Sequence, residues 1–416
     1  MTFILVMMLN IFLKRRYYPK CWLKELETSL EKGKGPILGK LRNITLIKGD
    51  MQIGMRISLG NNGQELIEND ERFSKANFGS RKNFAITTAL LQKRLVMDNS
   101  LISSRHTIYI MTDLQSCYDR QLSNVGSIVE ESVGHNRNAM ILYTKIMPHF
   151  QRYISTGYGI SQEPYGGDVE LAGTGQGNKF SGDMCRDISC LIIKQLEIQN
   201  LGILFLSVIT YASILCSSIS FVDDTDLVAD GTNATPKIQQ MLNLYNKLHT
   251  AIGGKIQEQK SSFFSWIWVW AQGQKRIKNV NINLSINNSS IQQNHVSEDK
   301  KTLGVQMSLS MKWICQFSMM KEKMEMAMWK LQNTPVTASN AYLFINMYLT
   351  THVYFGCGIM KLSPKQEEIL RKLSKPVLLR KLNLSVKFPR EMLYARKSAL
   401  GIGLMKPSTI VTALAL

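Results

Sequence analysis

The chain predicts an α+β fold, and three observations carry that expectation. Apolar residues alternate at every second position in 106–113, 263–270 and 280–286, the period of a strand with a buried face. Helical spacing takes over in 235–252 and again from about 311 to the end. With 416 residues, 44% of them hydrophobic, the chain is long and apolar enough to bury a sizeable core over two or three domains.

Residues 2–13 are apolar but too short to span a bilayer, and Lys14-Arg15-Arg16 follow the run, whereas a signal peptide has its charges first. They read as a buried helix, or as the start of a truncated domain. Residues 14–60 mix basic residues with short apolar runs. Residues 83–96 look helical, and 106–113 is a strand in which Ile108 and Ile110 alternate with Tyr109 and Met111. A long amphipathic helical region covers 121–147 and breaks near Pro148; 151–182, rich in Gly, Ser and Tyr, reads as loop and strand; 183–199 is helical again. Residues 201–222 carry no charge and are long enough to span a membrane, but they are rich in Ser, Thr and β-branched residues and end on two Asp. Two buried strands joined by a short turn fit that composition better than a transmembrane helix. In 235–252, Thr235 is the expected cap, Pro236 sits in the first turn, and Ile238, Met241, Leu242, Tyr245 and Leu248 form one face before Gly253-Gly254. Phe263–Trp270 is a strand with Trp266, Trp268 and Trp270 on one face, and Val280–Ile286 another; the Asn/Gln/Ser-rich 287–299 reads as a mobile loop. Beyond 311 come three or so amphipathic helices with basic outer faces.

Lys and Arg number 50 against 31 Asp and Glu, a formal charge of +19 and a pI near 9.6. That excess suggests a polyanionic partner, nucleic acid or an anionic membrane. The basic residues concentrate in the first fifty positions (Lys14, Arg15, Arg16, Lys20, Lys24, Lys32, Lys34, Lys40, Arg42) and the last hundred, around an acidic 221–230. Scattered solvated charge is the plainer reading. The seven cysteines form no Cys-x-x-Cys pair and read as reduced thiols of an intracellular protein, nuclear or cytoplasmic rather than secreted. The six histidines suggest no site.

Phe221-Val222-Asp223-Asp224 is the most informative segment. Adjacent carboxylates at a strand end raise each other's pKa unless a cation intervenes, and Mg²⁺, which takes hard oxygen ligands, is the usual one. The plain alternative is a turn that ends a strand. Nucleotidyl transfer uses two such ions about 4 Å apart, which requires carboxylates from separate strands. Asp113, at the end of the 106–113 strand, is the second source. Tyr118 follows five residues on. Its ring can stack under an incoming sugar, where bulk excludes the 2′-hydroxyl that distinguishes ribonucleotides; the alternative is a core aromatic at a helix start. Gly173-Thr174-Gly175-Gln176-Gly177-Asn178 offers backbone that approaches a base pair or phosphate closely, but lacks the Lys-Ser/Thr of a P-loop.

In order, Asp113–Arg120, Gly175–Gly177, Phe221–Asp224, Gly253–Ser261 and Thr302-Leu303-Gly304 resemble the ordered motifs of reverse transcriptases. The nearest type is the non-LTR (LINE-like) retrotransposon enzyme, with group II intron enzymes as relatives. Upstream, Leu41-Arg42-Asn43-Ile44 resembles the family's Arg-Pro-Ile finger motif, and Phe78-Gly79-Ser80-Arg81-Lys82 its Gly-Phe/Ser-Arg segment. The resemblance runs from about residue 20 to about 405.

It implies a right-hand polymerase: fingers in 1–104 and 123–176, a palm in 105–122 and 177–310 with an antiparallel sheet of ferredoxin-like topology, and a helical thumb in 311–416. The implied activity is RNA-directed DNA polymerisation with two Mg²⁺ or Mn²⁺ ions, an RNA template, a DNA primer and dNTP, and no membrane. Asp113 and Asp223 would ligate both metals, with Asp224 the third carboxylate. Lys260 would protonate or neutralise the leaving pyrophosphate, and Arg42 and Arg56 would meet the triphosphate. Tyr118 falls on the steric-gate position, Leu114, Gln176 and Gly177 on nucleotide-facing positions, and Leu303-Gly304 on the primer grip. Departures are the missing proline in Arg-Asn-Ile, Ser181-Gly182 in place of a Ser-Pro or Gly-Pro after Gln-Gly, and the lack of an endonuclease or RNase H segment. Together these read as a fragment of a retroelement open reading frame. The alternatives are a decayed or maturase-like RNA-binding protein, and a membrane protein anchored by 201–222.

Overall fold

The computed structural model describes residues 2–31, 41–60, 70–81, 84–115, 117–165, 173–207, 209–360 and 362–405. Lys32, Lys34, Lys40, Lys82, Ser116 and the end of the expected thumb lie outside them. The chain runs α1 (Thr2–Arg15), β1 (Lys24–Glu31), β2 (Leu41–Leu46), α2 (Gly49–Met55), α3 (Ile86–Ser103), β3 (Thr107–Thr112), α4 (Ser123–Ser132) and α5 (Arg137–Ile146). Then come β4 (Gln151–Thr156), β5 (Gly159–Ile160), α6 (Lys179–Ile198), β6 (Ile203–Leu206), β7 (Ser213–Cys216), β8 (Ser218–Phe221), β9 (Asp224–Asp230) and α7 (Ala234–Ala251). After β10 (Ser262–Ala271) and β11 (Gln274–Asn279) follow the short strands β12 (Ser285–Ile286), β13 (Ser289–Ser290), β14 (Gln292–Gln293), β15 (Lys300–Thr302) and β16 (Val305–Met307). The chain closes with α8 (Ile314–Asn333), α9 (Ala338–Phe344), α10 (Pro364–Lys381) and α11 (Arg390–Tyr394). It is a mixed fold of helices with antiparallel and mixed sheets.

Two compact units divide these elements: residues 1–85, 104–267 and 280–294 form one, and 86–103, 268–279 and 295–416 the other. In the first, an antiparallel sheet has the order β10–β3–β9–β8. Ile108, Tyr109 and Ile110 of its central strand are wholly buried, so both faces of β3 are covered. One face carries Ile108, Ile110, Leu227, Ala229 and Phe263 into a core shared with Met184, Ile188 and Leu196 of α6 and Ile238, Met241 and Tyr245 of α7. Each buried Ile, Leu, Met or Phe among them contributes about 1.5–3 kcal/mol by leaving water. Within the sheet, the Tyr109 hydroxyl donates to the buried Asp226 carboxylate, and burial pushes the phenol well above its usual range. A mixed sheet, β2–β1–β4–β5, pairs β1 antiparallel to β2 and parallel to β4.

Several expectations are corrected. The 121–147 region does end beside Pro148, at Ile146, but it is two helices rather than one: Gly134 (φ +101°) ends α4 in a left-handed conformation and Asn136 caps α5. Thr235 lies inside α7, whose cap position is Asn233. Residues 201–222 form three strands, and the β6–β7 hairpin leaves Leu204, Leu206 and Ile214 exposed rather than buried. Among the described residues no helix is long and apolar enough to cross a membrane. In α1, Leu9 is buried with Leu5, Phe12 and Leu13 packed nearby, while Phe3, Ile4, Met7, Met8 and Ile11 are exposed. Of 280–286, Ser285–Ile286 alone is a strand; it turns back through Asn287 and Asn288, both at positive φ (49° and 67°), the demand of a type I′ hairpin. The expected mobile loop contains β13 and β14, and Asn294 in it is wholly buried.

In the second unit, Met320, Met324, Met328 and Leu331 of α8 pack with Ala341, Ile345, Leu349, Leu370 and Leu379. Methionine suits such an irregular core because its unbranched side chain adapts. Ser363 and Gln366 form a capping box at the start of α10.

Charge is buried between α4, α5 and α6. Arg186 donates to Asp187 at 2.5 and 2.9 Å and to Asp183 at 3.2 Å, and Glu130 lies 3.0 Å from His135. Burial pushes the Glu130 carboxyl from 4.5 up to about 7 and raises Asp187, while it lowers His135. A raised carboxyl binds its proton more readily in the folded chain, so stability falls as pH climbs from about 4.5 to about 7; His135 acts in the opposite sense. Glu130→Gln is expected to flatten this fall. Thermal unfolding between pH 5 and 7.5 would show wild type losing more Tm than the variant; parallel slopes would clear Glu130.

Candidate active site

Asp113 is the first residue after β3. Its amide donates to Ser261 Oγ (3.3 Å) and its carbonyl accepts from the Gln257 amide (2.7 Å). The segment after Gly253, which sits at φ +85°, is thus strapped along the strand end. Leu114 bridges to Ile256, and the Lys260 ammonium lies 3.2 Å from Asp113 Oδ2.

Asp223 occupies the tight turn between β8 and β9, whose last ladder pair is Phe221 with Asp224. Val222 there adopts φ +61°, a left-handed conformation that a β-branched residue takes up only under constraint. The constraint is visible. Phe78 donates to the Ser220 carbonyl (2.8 Å) and Ser220 to that of Ala76 (3.0 Å), so 76–78 lines the edge of β8. Gly79 then lies so close that a Cβ would overlap the Val222 backbone. Asp223 is exposed at its surface, yet its carboxyl pKa is raised, first by lost hydration and then by the charge of Asp113, with Arg42 opposing. Charges couple this way only at short range, so the Asp223 carboxyl stands in the field of both Asp113 and Arg42. Asp224 is exposed at the start of β9. Among the described residues no group of three His, Cys, Asp or Glu side chains is close enough to hold a metal ion, so the three aspartates are not gathered as a trio.

Tyr118 lies in a single helical turn, Cys117–Arg120. Its carbonyl accepts from both the amide (2.7 Å) and the hydroxyl (3.2 Å) of Thr174. A Cβ on Gly173 would overlap the backbone of Asp119, which is why glycine begins this loop. Burial raises the Tyr118 hydroxyl pKa, with Cys185 and Asp223 adding to it, so the phenol stands in the field of the Asp223 carboxylate. The loop continues to Gln176, whose carbonyl accepts from the Thr45 amide of β2 (2.6 Å), and to Gly177 at φ +124° against the Thr45 carbonyl. Arg42, on the same strand, is exposed.

The structure thus brings Asp113, Asp223, Lys260, Arg42 and Tyr118 into one region, with Gln176 and Gly177 on the loop bonded to the Tyr118 turn. Leu114 points into the core, and Arg56 is exposed just after α2. Leu303 and Gly304, at φ +48° and +82°, are the type I′ turn of the β15–β16 hairpin and belong to the second unit. Sequence reading placed Thr174 and Ser261 inside motifs without giving them a part and passed over Thr45; their parts are played through bonds to main chain that leave no compositional mark. The Val222 turn was signalled only by the Asp pair beside it.

No protein-family model matches the chain, and no curated protein matches it. Among solved structures it is similar to telomerase from Candida tropicalis in complex with the TWJ fragment of telomeric RNA, at 11% identity and a TM-score of 0.49, covering 95% of this chain and 61% of that one. It is also similar to telomerase from Candida albicans in complex with the TWJ fragment of telomeric RNA, at 11% identity and a TM-score of 0.44, over 95% of this chain and 67% of that one. The chain thus spans about 61% of the length of the first of these. Function is therefore read from the side chains of the site.

Two outcomes test this geometry. Asp113→Asn removes one of the charges raising Asp223, so the Asp223 carboxyl should titrate at lower pH in a carbon-13 NMR titration; an unmoved titration would separate the two groups. Gly177→Ala forces a side chain into a left-handed position against the Thr45 carbonyl and should cost about 1–3 kcal/mol in urea unfolding; a neutral change would show that the loop does not depend on this approach.

Proposed function

We propose that this chain is a reverse transcriptase, an RNA-directed DNA polymerase of the retroelement type. The observation that carries the reading is the strand register: Thr112 lies opposite Thr225, so Asp113 and the Asp223–Asp224 turn leave one end of the sheet, and both Asp113 and Arg42 act on the Asp223 carboxyl. The chain order β3, helices, β8, β9, α7, β10 with sheet order β10–β3–β9–β8 supports a ferredoxin-like palm. The mixed β2–β1–β4–β5 sheet is then read with the fingers and the helices after 311 with the thumb.

The Asp223 carboxyl, raised by burial and by the charge of Asp113, is a hard oxygen donor of the kind that a divalent cation relieves, so the chemistry of the pair suits Mg²⁺ or Mn²⁺. Asp113 and Asp223 would hold it, with Asp224 beside them. When bound, the ions would lower the pKa of the primer 3′-hydroxyl and neutralise the leaving pyrophosphate. The chain's own groups do the rest. Arg42 and Arg56 attract the triphosphate, and Lys260 leaves Asp113 to give a proton or a positive charge to pyrophosphate. Tyr118 closes the floor under the sugar, and the Gln176–Gly177 backbone lies against the templating pair. Leu114 supports this wall from the core, and Leu303-Gly304 hold the primer end. Most of the rate enhancement is positioning and charge neutralisation.

A second reading, an RNA-binding protein without polymerase chemistry, is favoured by two observations: the Lys260 ammonium sits on Asp113, and among the described residues the aspartate trio is not assembled. Incorporation of dTTP on poly(rA)/oligo(dT) with Mg²⁺ or Mn²⁺ separates the two. Wild type should incorporate, and the Asp223→Asn/Asp224→Asn double variant should lose incorporation while still binding the hybrid. A folded wild type that binds the hybrid and incorporates nothing would select the second reading.

A further inference from the structure

We propose that Cys117 and Cys185 form an oxidisable dithiol beside the candidate nucleotide site, closed to a disulfide by peroxide and reopened by thiol reductants. Their Sγ atoms lie 3.1 Å apart. A disulfide bond is about 2.05 Å long, so closure needs an approach of about 1 Å. Cys117 opens the helical turn that carries Tyr118 and is half-exposed; Cys185 is buried in α6. The two sulfurs therefore differ in access, which divides the chemistry between them.

The Cys117 sulfur attacks one oxygen of hydrogen peroxide; the O–O bond breaks, and the departing oxygen takes the thiol proton and leaves as water. Cys117 is then a sulfenic acid. Cys185 attacks the Cys117 sulfur, the S–O bond breaks, and the hydroxyl leaves with the Cys185 proton as a second water. Two thiols and one peroxide give one disulfide and two waters, and the two electrons lost by the sulfurs go to peroxide oxygen. The hydrogen bond from Cys117, followed by burial, holds the Cys185 thiol well above the usual range, so the more accessible Cys117 is the sulfur that meets peroxide first.

The position makes the bond consequential. Thr174 already joins the Tyr118 turn to the start of α6: its amide donates to the Tyr118 carbonyl (2.7 Å), and its own carbonyl accepts from Ser181 Oγ (2.7 Å). A disulfide adds a covalent tie at this junction and draws Cys117 toward α6, carrying Tyr118 with it. Displacements of about 1 Å in a reacting geometry cost up to about a hundredfold in rate. On the polymerase reading, incorporation should fall at least about tenfold on oxidation.

The test uses the full chain. Peroxide-treated protein is alkylated, digested without reduction and mapped by mass spectrometry. The expected product is a peptide joining Cys117 to Cys185, lighter by two hydrogens than the separate thiol peptides, lost on adding dithiothreitol and absent from Cys117→Ser. Cys117 oxidised to sulfinic acid, or still alkylatable, with no joined peptide would overturn the dithiol. The wild-type map needs no variant, so a fold weakened by substitution cannot mask the answer. In parallel, dTTP incorporation should fall on oxidation and return with dithiothreitol in wild type, and show no such response in Cys117→Ser. A quantitatively joined protein with unchanged incorporation would overturn the positional consequence. The peptide map decides the dithiol even in a chain that does not polymerise, so its failure and that of the polymerase reading are distinguishable.

Discussion

Two like charges, Asp113 and Asp223, are held in each other's field, and the rest of the first unit can be understood as what makes that tolerable. Pairing of β3 with β9 runs from Thr107 opposite Asp230 to Thr112 opposite Thr225, which brings both strand ends to one edge. The repulsion is met by a central strand buried on both faces and by helices that cover one side of the sheet. Lys260 offsets the charge of Asp113 and Arg42 that of Asp223. A carboxyl held away from its ordinary pKa, as Asp223 is, marks a place where the scaffold fixes charge against its own preference.

The second constraint is backbone proximity. The glycines at 173 and 177 permit contacts that a Cβ would forbid, one against the Asp119 backbone and one against the Thr45 carbonyl. Through them the Tyr118 turn, the 173–178 loop and β2 become one connected surface. This surface is thus built of main chain, through the Thr45–Gln176 bond and the two glycine contacts.

Much of this was legible in the sequence. Period-two alternation located β3 and β10, and the Asp pair located the β8–β9 turn, because a buried strand and a hairpin leave strong local marks. The 201–222 run was misjudged because composition shows that a segment is apolar without showing that it is buried; β6 and β7 keep Leu204, Leu206 and Ile214 in solvent. Val280–Leu284 has strand spacing but forms no regular ladder: Val280 donates to the Ser265 carbonyl of β10, and the Gln293 side chain of β14 takes up Val280 and Ile282 in place of a partner backbone. Thr235 was mistaken for a cap because Asn233, two residues earlier, occupies that position without a side-chain bond. The motifs indicated which residues meet, while the bonds of Ser261, Thr174 and Thr45 that bring them together became visible only in three dimensions.

The left-handed Val222 has a consequence for how such a turn can change. Glycine would adopt φ +61° without penalty, and relief of strain of this kind is worth on the order of 1–3 kcal/mol. The same replacement would remove the side chain that lies against Gly79 and let the neighbouring carboxylate wander. Stability and precision pull in opposite directions at this one residue, so a sturdier version of the molecule would aim its charge less well.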